Sequence, residues 1–267
     1  MPRSSRRWMS LLVLLLALPA EAADHYDLQV GREVAIGSAV VLGGLVLSSQ
    51  AGQRAPLSAD DLAALDPARL PGYDRGATRC WSPAAAHGSD LLVAGLVAAP
   101  LALLADPESE GSRGELVVMA LETIALTQVA TGAVKLGYGR TRPYAYNTDP
   151  RIPDELRRGR DARRSFPSGH TSAAFAGAMF TGEVYARLYP DHPARHWVRG
   201  GTLGLAALAG YLRVRAGRHF PSDVVAGAAL GAVIGWLVPR WHDHGLGPVV
   251  AVTPGAAAPV VSVRLAF

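Results

Sequence analysis

Three short stretches hold the side chains that could do chemistry. KLGYGRTRP, residues 135–143, carries Lys135, Arg140 and Arg142 among glycines and stops at Pro143. SFPSGHTSAAFAG, residues 165–177, carries Ser168, Gly169 and His170. RVRAGRHFPSDVVAG, residues 213–227, places Arg213, Arg215, Arg218, His219 and Asp223 between two of the most apolar runs of the chain. Charges in an apolar setting are costly unless each finds a partner. Either the third stretch is a solvated turn, or an anion belongs among its side chains.

Each stretch taken alone has a plain structural explanation. Lys135, Arg140 and Arg142 at a helix end complement its dipole. Ser168 suits an N-cap, although free N–H groups at a helix start opened by Gly169 also form an anion site. His219 can cap a turn. Asp223, four residues on, can also accept its ring N–H, which fixes the tautomer and frees the other nitrogen as a nucleophile. Taken together, all three stretches end apolar helices, so a bundle can bring them to one rim. The assembled set is three cations (Lys135, Arg142, Arg213), amide donors near Gly169, two histidines and one orienting carboxylate. That inventory suits phosphoryl transfer without a metal or other cofactor, in which positioning and charge stabilisation do most of the catalysis.

The elements that must position these residues are helical. Hydrophobic residues make up 49% of the 267 and aromatics only 7%; the rest of the apolar set is mostly Ala, Leu, Val and Gly, which suits closely packed helices. The expected fold class is all-α, a bundle of about six core helices. The tail around PGAAAP alternates like a short C-terminal β-hairpin. Apolar stretches fall at 34–53, 91–105 (carrying Pro100), 116–134 (interrupted by Glu122), 171–182, 200–212 and 224–239. Only the first meets the length criterion for a membrane span. Gly227, Gly231 and Gly235 line one helix face, and Ala174, Ala178 and Gly182 another, which lets backbones approach closely.

Two polar segments, 54–89 and 136–166, separate the apolar runs, and the second holds eight arginines from Arg140 to Arg164. The net charge of +4 is spread without a nucleic-acid type of basic block outside that region, so it reads as a basic active face and no nucleic-acid partner is expected. Residues 1–22 read as a secretory signal. Arg3, Arg6 and Arg7 precede the uncharged run from Trp8 to Ala20, and Ala20-Glu21-Ala22 offers a cleavage site; an uncleaved anchor is the alternative. The lone Cys80 excludes an internal disulfide. The expected division is a signal at 1–22, an N-terminal helix and polar linker at 23–89, a core at 90–240 and a tail at 241–267.

The order Lys135-x6-Arg142-Pro143, then Pro167-Ser168-Gly169-His170, then Arg213-x5-His219-x3-Asp223 resembles the three-part signature of the type 2 phosphatidic acid phosphatase (PAP2) superfamily. That superfamily also holds class A acid phosphatases and vanadium haloperoxidases. The likeness covers roughly residues 90–238. The pattern usually has serine before Arg213; here Leu212 stands there, so one phosphate-facing hydroxyl is missing. The resemblance implies that His219 attacks phosphorus and Asp223 holds it. It implies that His170 protonates the leaving alcohol and then activates water. Lys135, Arg142 and Arg213 bind the phosphoryl oxygens, helped by Ser168 and the Gly169 amide. Arg140 and Arg215 lie off the pattern and are expected to shape substrate approach.

The expected substrate is a lipid-linked phosphate or diphosphate, in a membrane-embedded or membrane-attached enzyme acting on the periplasmic face. A soluble periplasmic acid phosphatase for small esters, a haloperoxidase with His219 as vanadate ligand, and an anion-binding or transport protein are the alternatives. The topology carries a conflict. If a cleaved signal puts Ala23 outside and all six stretches span, the catalytic loops face the cytoplasm.

Overall fold

A computed structural model describes residues 26–51, 55–243, 249–253 and 260–264. The expected signal at 1–22 and the PGAAAP turn lie outside the described residues. Six long helices carry the fold: α1 (Val30–Ala51), α2 (Pro83–Ala98), α3 (Arg113–Tyr138), α4 (Gly169–Leu188), α5 (Ala194–Arg215) and α6 (Pro221–Trp241). Strands β1 (Val249–Thr253) and β2 (Val260–Arg264) pair antiparallel, with Val250 opposite Val263.

The helix ends are written locally. Ser82 caps α2, accepting from the Ala85 N–H, with Pro83 in the first helical position; Ser168 caps α4 by accepting from the Thr171 N–H. Free N–H groups at a helix start need such acceptors. Gly139 ends α3 at φ 59°, a left-handed conformation that glycine adopts without penalty. The α5–α6 turn needs Gly217, at φ 68°, because a Cβ there would stand 2.2 Å from the Cys80 carbonyl oxygen.

All six long helices outrun their apolar runs at one end or both. α4 continues past Gly182 and Glu183 to Leu188, because Glu183 is paired with Arg199 (2.6 Å) and Arg240 (2.5 Å). α2 and α6 likewise begin earlier than their apolar runs. The expectation of one confident span is therefore corrected. Val30–Gln50, Pro83–Leu103, Pro107–Tyr146 and Pro221–Trp241 are each long and apolar enough to cross a membrane. Isolated charges such as Asp90 and Glu122 do not break a span whose remaining window is apolar.

α4 is the centre of the bundle, packed by α2, α3, α5 and α6. The glycine stripe of α6 lies on the backbone of α4. A Cβ on Gly227, Gly231 or Gly235 would fall 2.5, 2.0 and 2.3 Å from the carbonyl oxygens of Ser168, Ser172 and Ala176. The second small-residue stripe faces elsewhere, since Ala174 and Ala178 pack with Leu96, Ala206 and Ala209 of α2 and α5. A larger cluster of Leu103, Leu116, Met119, Phe180, Val184 and Val238 fills the far end. α1 packs chiefly along α3, leaving Val30, Val34, Val41, Leu42, Leu45 and Val46 exposed.

The far end is closed by a charge cluster. His242, with no exposed side-chain surface, sits 3.3 Å from Glu33 of α1 and 3.2 Å from Glu122 of α3, while its Nδ1–H donates to the Val238 carbonyl at 2.9 Å. Arg32 pairs with Glu33 at 2.9 Å. Burial opposes the charged ring, but the hydrogen bonds with Glu122 and Glu33 outweigh it and hold the His242 pKa up at about 9.

Gly231→Ala should destabilise the protein by on the order of 1–3 kcal/mol through overpacking. Gly44→Ala, where a Cβ meets nothing within 4 Å, should be neutral or stabilising by up to about 1 kcal/mol. Thermal unfolding followed by circular dichroism measures both, and equal melting of the two variants would refute the close α4–α6 contact. The His242 pKa is raised on folding from 6.5 to about 9. Its contribution is thus complete below the unfolded value and is lost as pH climbs through the folded one. Stability should fall by on the order of 3 kcal/mol across that window, and His242→Gln should flatten the fall.

Candidate active site

Alternating helix directions bring one end of every long helix to the same rim. α3 delivers Lys135, and the loop after it Arg140 and Arg142. α4 begins there with Gly169 and His170, α5 ends there with Arg213, and the turn into α6 carries His219 and Asp223. The Ser168 N–H donates to the Asp223 carbonyl at 3.0 Å, so the second and third stretches are joined directly through backbone.

His219 is 1% exposed. Its Nδ1 lies 2.9 Å from the carbonyl oxygen of Ser165, an atom that can only accept. The ring proton therefore sits on Nδ1, and Nε2 keeps its lone pair, facing Arg142 Nη1 at 3.1 Å. Burial first, then the charges of Arg142, Lys135 and Arg213, hold the ring well below the ordinary imidazole range. A neutral ring with one free nitrogen is the form a nucleophile needs. Asp223 is not the hydrogen-bond acceptor expected from the spacing. Its Oδ2 stands 3.6 Å from Nδ1, beyond hydrogen-bond length, because that oxygen is engaged by Ser165 Oγ at 2.5 Å and by the Phe220 N–H at 2.9 Å.

Arg142 stands at the free nitrogen, and the charges of Lys135 and Arg213 act on the same ring. Arg142, 7% exposed, also reaches Asp161 at 2.9 Å and donates to the Arg218 carbonyl at 3.1 Å. Lys135, the only lysine of the chain, donates from Nζ to the Arg164 carbonyl at 2.8 Å. Arg213 donates to Ser89 Oγ at 3.0 Å and to Asp90 at 2.8 Å; its Nε is buried with no hydrogen-bond partner. A buried donor without an acceptor calls for an explanation, and an anion beside Nε supplies one. Burial draws the Arg213 pKa down to about 10 against the pull of Asp90.

His170 is partly exposed and points its Nε2 at the same Asp90 oxygen, 3.1 Å away. Burial, and next the Arg213 charge, lower its pKa to about 4 while Asp90 pulls upward. Ser168 is fully buried, its Oγ accepting from the Thr171 Oγ1 at 2.8 Å and the Thr171 N–H at 3.3 Å. It is built in as a cap, so the open part of this turn is the Gly169 amide. A Cβ on Gly169 would lie 3.8 Å from Lys135 Cε, which puts that amide beside the lysine.

Arg140 departs from its expected role in substrate approach. It is turned inward to Asp223 (2.6 Å) and Asp74 (2.7 Å), because two fully buried carboxylates there require a shared cation. Arg215 is exposed at the end of α5. Leu212 lies within 3.4 Å of the place a Cβ on Gly88 would take, so it packs on α2. Sequence reasoning passed over Asp74, Asp90, Asp161 and Ser165. Asp90 reads as an ordinary acid near a helix start, and Asp74 as a polar linker residue; only Ser165 stood within a quoted stretch. Among the described residues, Glu33, Glu122 and His242 are the group whose donor atoms lie within 4.8 Å of one another, close enough to hold a metal ion. They stand at the opposite end of α6 from His219, about 30 Å along the helix.

Comparison with known proteins adds three likenesses. Over 110 residues the chain is 33% identical to a lipid A 1-phosphatase of Rhizobium johnstonii, covering 41% of each protein. Over 96 residues it is 33% identical to an acid phosphatase of Zymomonas mobilis, covering 36% of this chain and 33% of that one. The chain thus spans less than half the length of the curated relatives it matches. A crystal structure of a transmembrane PAP2 type phosphatidylglycerolphosphate phosphatase from Bacillus subtilis superposes with a TM-score of 0.48 at 19% identity, over 74% of this chain and 93% of that one. Residues 116–245 match the family model described as PAP2 superfamily. All three charged stretches of the rim fall inside that match, so the part of the chain that builds the rim is similar to the PAP2 superfamily.

Proposed function

We propose that this protein hydrolyses a phosphate monoester or diphosphate carried on a lipid, through a phosphohistidine at His219. The observation that carries the reading is the buried His219 ring, its proton fixed on Nδ1 by Ser165, its Nε2 facing Arg142, and the charges of Lys135 and Arg213 acting on the same ring. In the first step Nε2 forms a bond to phosphorus and the bond from phosphorus to the ester oxygen breaks. That oxygen takes a proton from His170. In the second step His170 takes a proton from water, the water oxygen bonds phosphorus, and the nitrogen–phosphorus bond breaks. Lys135, Arg142, Arg213 and the Gly169 amide hold the phosphoryl oxygens, supplying positive charge where negative charge builds up. Asp223 holds its place behind the ring.

A lipid substrate is supported by the four helices apolar enough to span a bilayer and by the name of the Rhizobium relative. Residues 26–27 lie at the far end, where Tyr26 pairs with Asp243 and the Asp27 N–H donates to the His242 carbonyl. The active rim is therefore at the other end of α1. Export of Ala23 and a periplasmic rim are compatible only if α1 does not cross the bilayer, and its packing chiefly along α3, with α6 met only at the far end, agrees with a peripheral place. The proposed rim faces the periplasm.

His219→Ala should abolish phosphate release while circular dichroism stays as in wild type, and acid-labile phosphate should be trapped on the wild-type protein alone. Retention of more than about 5% of turnover would remove His219 from the nucleophile role. His170→Ala should slow phosphorylation by an alkyl phosphate far more than by nitrophenyl phosphate, whose leaving group departs with little protonation; equal burst-phase losses would argue against the acid role.

Asp90→Asn removes the group that raises the His170 pKa, so the protonated acid should be lost at lower pH. The basic limb of the profile of kcat/KM against pH should move acidward, and an unmoved limb would detach Asp90 from His170. Activity should survive chelator and be inhibited by vanadate, with lipid and soluble esters compared side by side. Cells with only the outer membrane permeabilised should hydrolyse an impermeant ester; hydrolysis appearing only after the inner membrane is breached would place α1 across the bilayer and the rim in the cytoplasm.

A further inference from the structure

We propose that Asp74 and Arg140 are positioning residues for the nucleophile, holding Asp223 and Ser165 behind His219 and giving that side of the ring a net negative charge. The inference rests on His219 as the phosphorylated residue.

Arg140 reaches both groups that stand at His219 Nδ1. Its Nη1 donates to Asp223 Oδ1 at 2.6 Å and to Ser222 Oγ at 2.7 Å. Its backbone carbonyl accepts the Ser165 N–H at 2.9 Å. Ser165 in turn gives its hydroxyl to Asp223 and its carbonyl to the histidine. The guanidinium lies over the Phe220 ring, 4.1 Å from its centroid, which leaves it little freedom to turn away. Its Nη2 donates to Asp74 Oδ2 at 2.7 Å. Asp74 then fastens the start of α6, accepting the Ser222 N–H at 3.1 Å and the Ser222 hydroxyl at 2.7 Å.

Asp74 and Asp223 are both without exposed surface. A fork-shaped guanidinium suits the bridge, since two nitrogens serve two carboxylates at once. The chain Asp74–Arg140–Asp223 sums to one negative charge. When Nε2 bonds phosphorus, the proton remains on Nδ1 and the ring becomes a phosphorylated imidazolium bearing positive charge. A net negative group behind Nδ1 stabilises that charge. With Asp74 made neutral, Arg140 and Asp223 cancel and the stabilisation is lost. Asp74 lies outside the stretch matched to the family, in a segment whose composition alone reads as linker.

The test is rapid-quench kinetics of the purified full-length protein with nitrophenyl phosphate. Asp74→Asn should slow phosphorylation by about 10- to 100-fold, as loss of supporting groups around a reactive centre does, while KM stays within about threefold. Dephosphorylation should be unslowed, because the intermediate it consumes is the species made less stable. Ser222→Ala deletes hydrogen bonds of the same network without changing its charge, and should cost much less.

Arg140→Lys keeps the charge but bridges poorly. It should fall between wild type and Asp74→Asn, and the double variant should lose less than the product of the two single losses. Wild-type phosphorylation in Asp74→Asn overturns the inference. So does an equal slowing of both steps with a matching drop in melting temperature, or a loss in Ser222→Ala as large as in Asp74→Asn. If Asp74→Asn does not fold, Arg140→Lys decides, and wild-type rates there overturn it. A wild-type protein that forms no acid-labile phosphoenzyme overturns the function itself, an outcome distinct from all of these.

Discussion

The contact between α4 and α6 is the constraint from which the rest of the rim follows. Three glycines of α6 rest on carbonyl oxygens of α4 at distances that no side chain tolerates. The Ser168 N–H closes the top of the same contact on the Asp223 carbonyl. Backbones this close cannot slide or tilt without clash, since packed interiors have no free volume to absorb the motion. The amides that open α4 and the histidine turn that opens α6 are thereby held in one register. The cations of α3 and α5 then close around a fixed pair.

Electrostatics sets a second condition. The rim gathers Lys135, Arg142 and Arg213 around a histidine with almost no exposed surface, and such a collection of charge is tolerable only with compensation. Some is permanent: Asp161 for Arg142, Asp90 for Arg213, and Asp223 with Asp74 for Arg140. Part of the positive charge stays uncompensated: Arg142 Nη1 faces His219 Nε2, and the Nε of Arg213 is buried without a partner. The same field keeps both histidines neutral in the free protein, His219 more strongly than His170. In the proposed reaction a phosphoryl group supplies the missing negative charge, and its arrival raises the proton affinity of His170, the proposed donor.

Two carboxylates divide the work around the histidines. Asp90 is shared by His170 and Arg213, so the proposed acid and one proposed phosphate-binding cation are tied to the same oxygen of α2. Asp223 belongs instead to the network behind His219. At the far end, Glu33, Glu122 and His242 join α1, α3 and α6 without touching the chemistry. The bundle is thus pinned at both ends, by polar groups at each and by glycine contacts between.

Much of this was legible in the sequence because it is local. Apolar runs of helical length, Ser before Pro83, Ser before Gly169, and Gly after Tyr138 fix where helices begin and end by hydrogen-bond needs within a few residues. The spacing of Lys135, Arg142, His170, Arg213 and His219 relative to those ends identified the side chains that the structure gathers at one rim. Their partners were not legible. Asp74 and Arg140 are 66 positions apart, and Ser165 and His219 are 54 apart; nothing in either segment encodes the other. The four-residue step from His219 to Asp223 suggested a direct hydrogen bond, yet the helix start turned that carboxylate to Ser165, Phe220 and Arg140. The sequence by itself pointed to the helices, to the eight candidate site residues on the charged stretches and to an anion among them. Only the tertiary structure decided which oxygen holds the histidine proton, which arginine faces inward and which linker aspartate supports it, because those choices depend on burial and on contacts between distant segments.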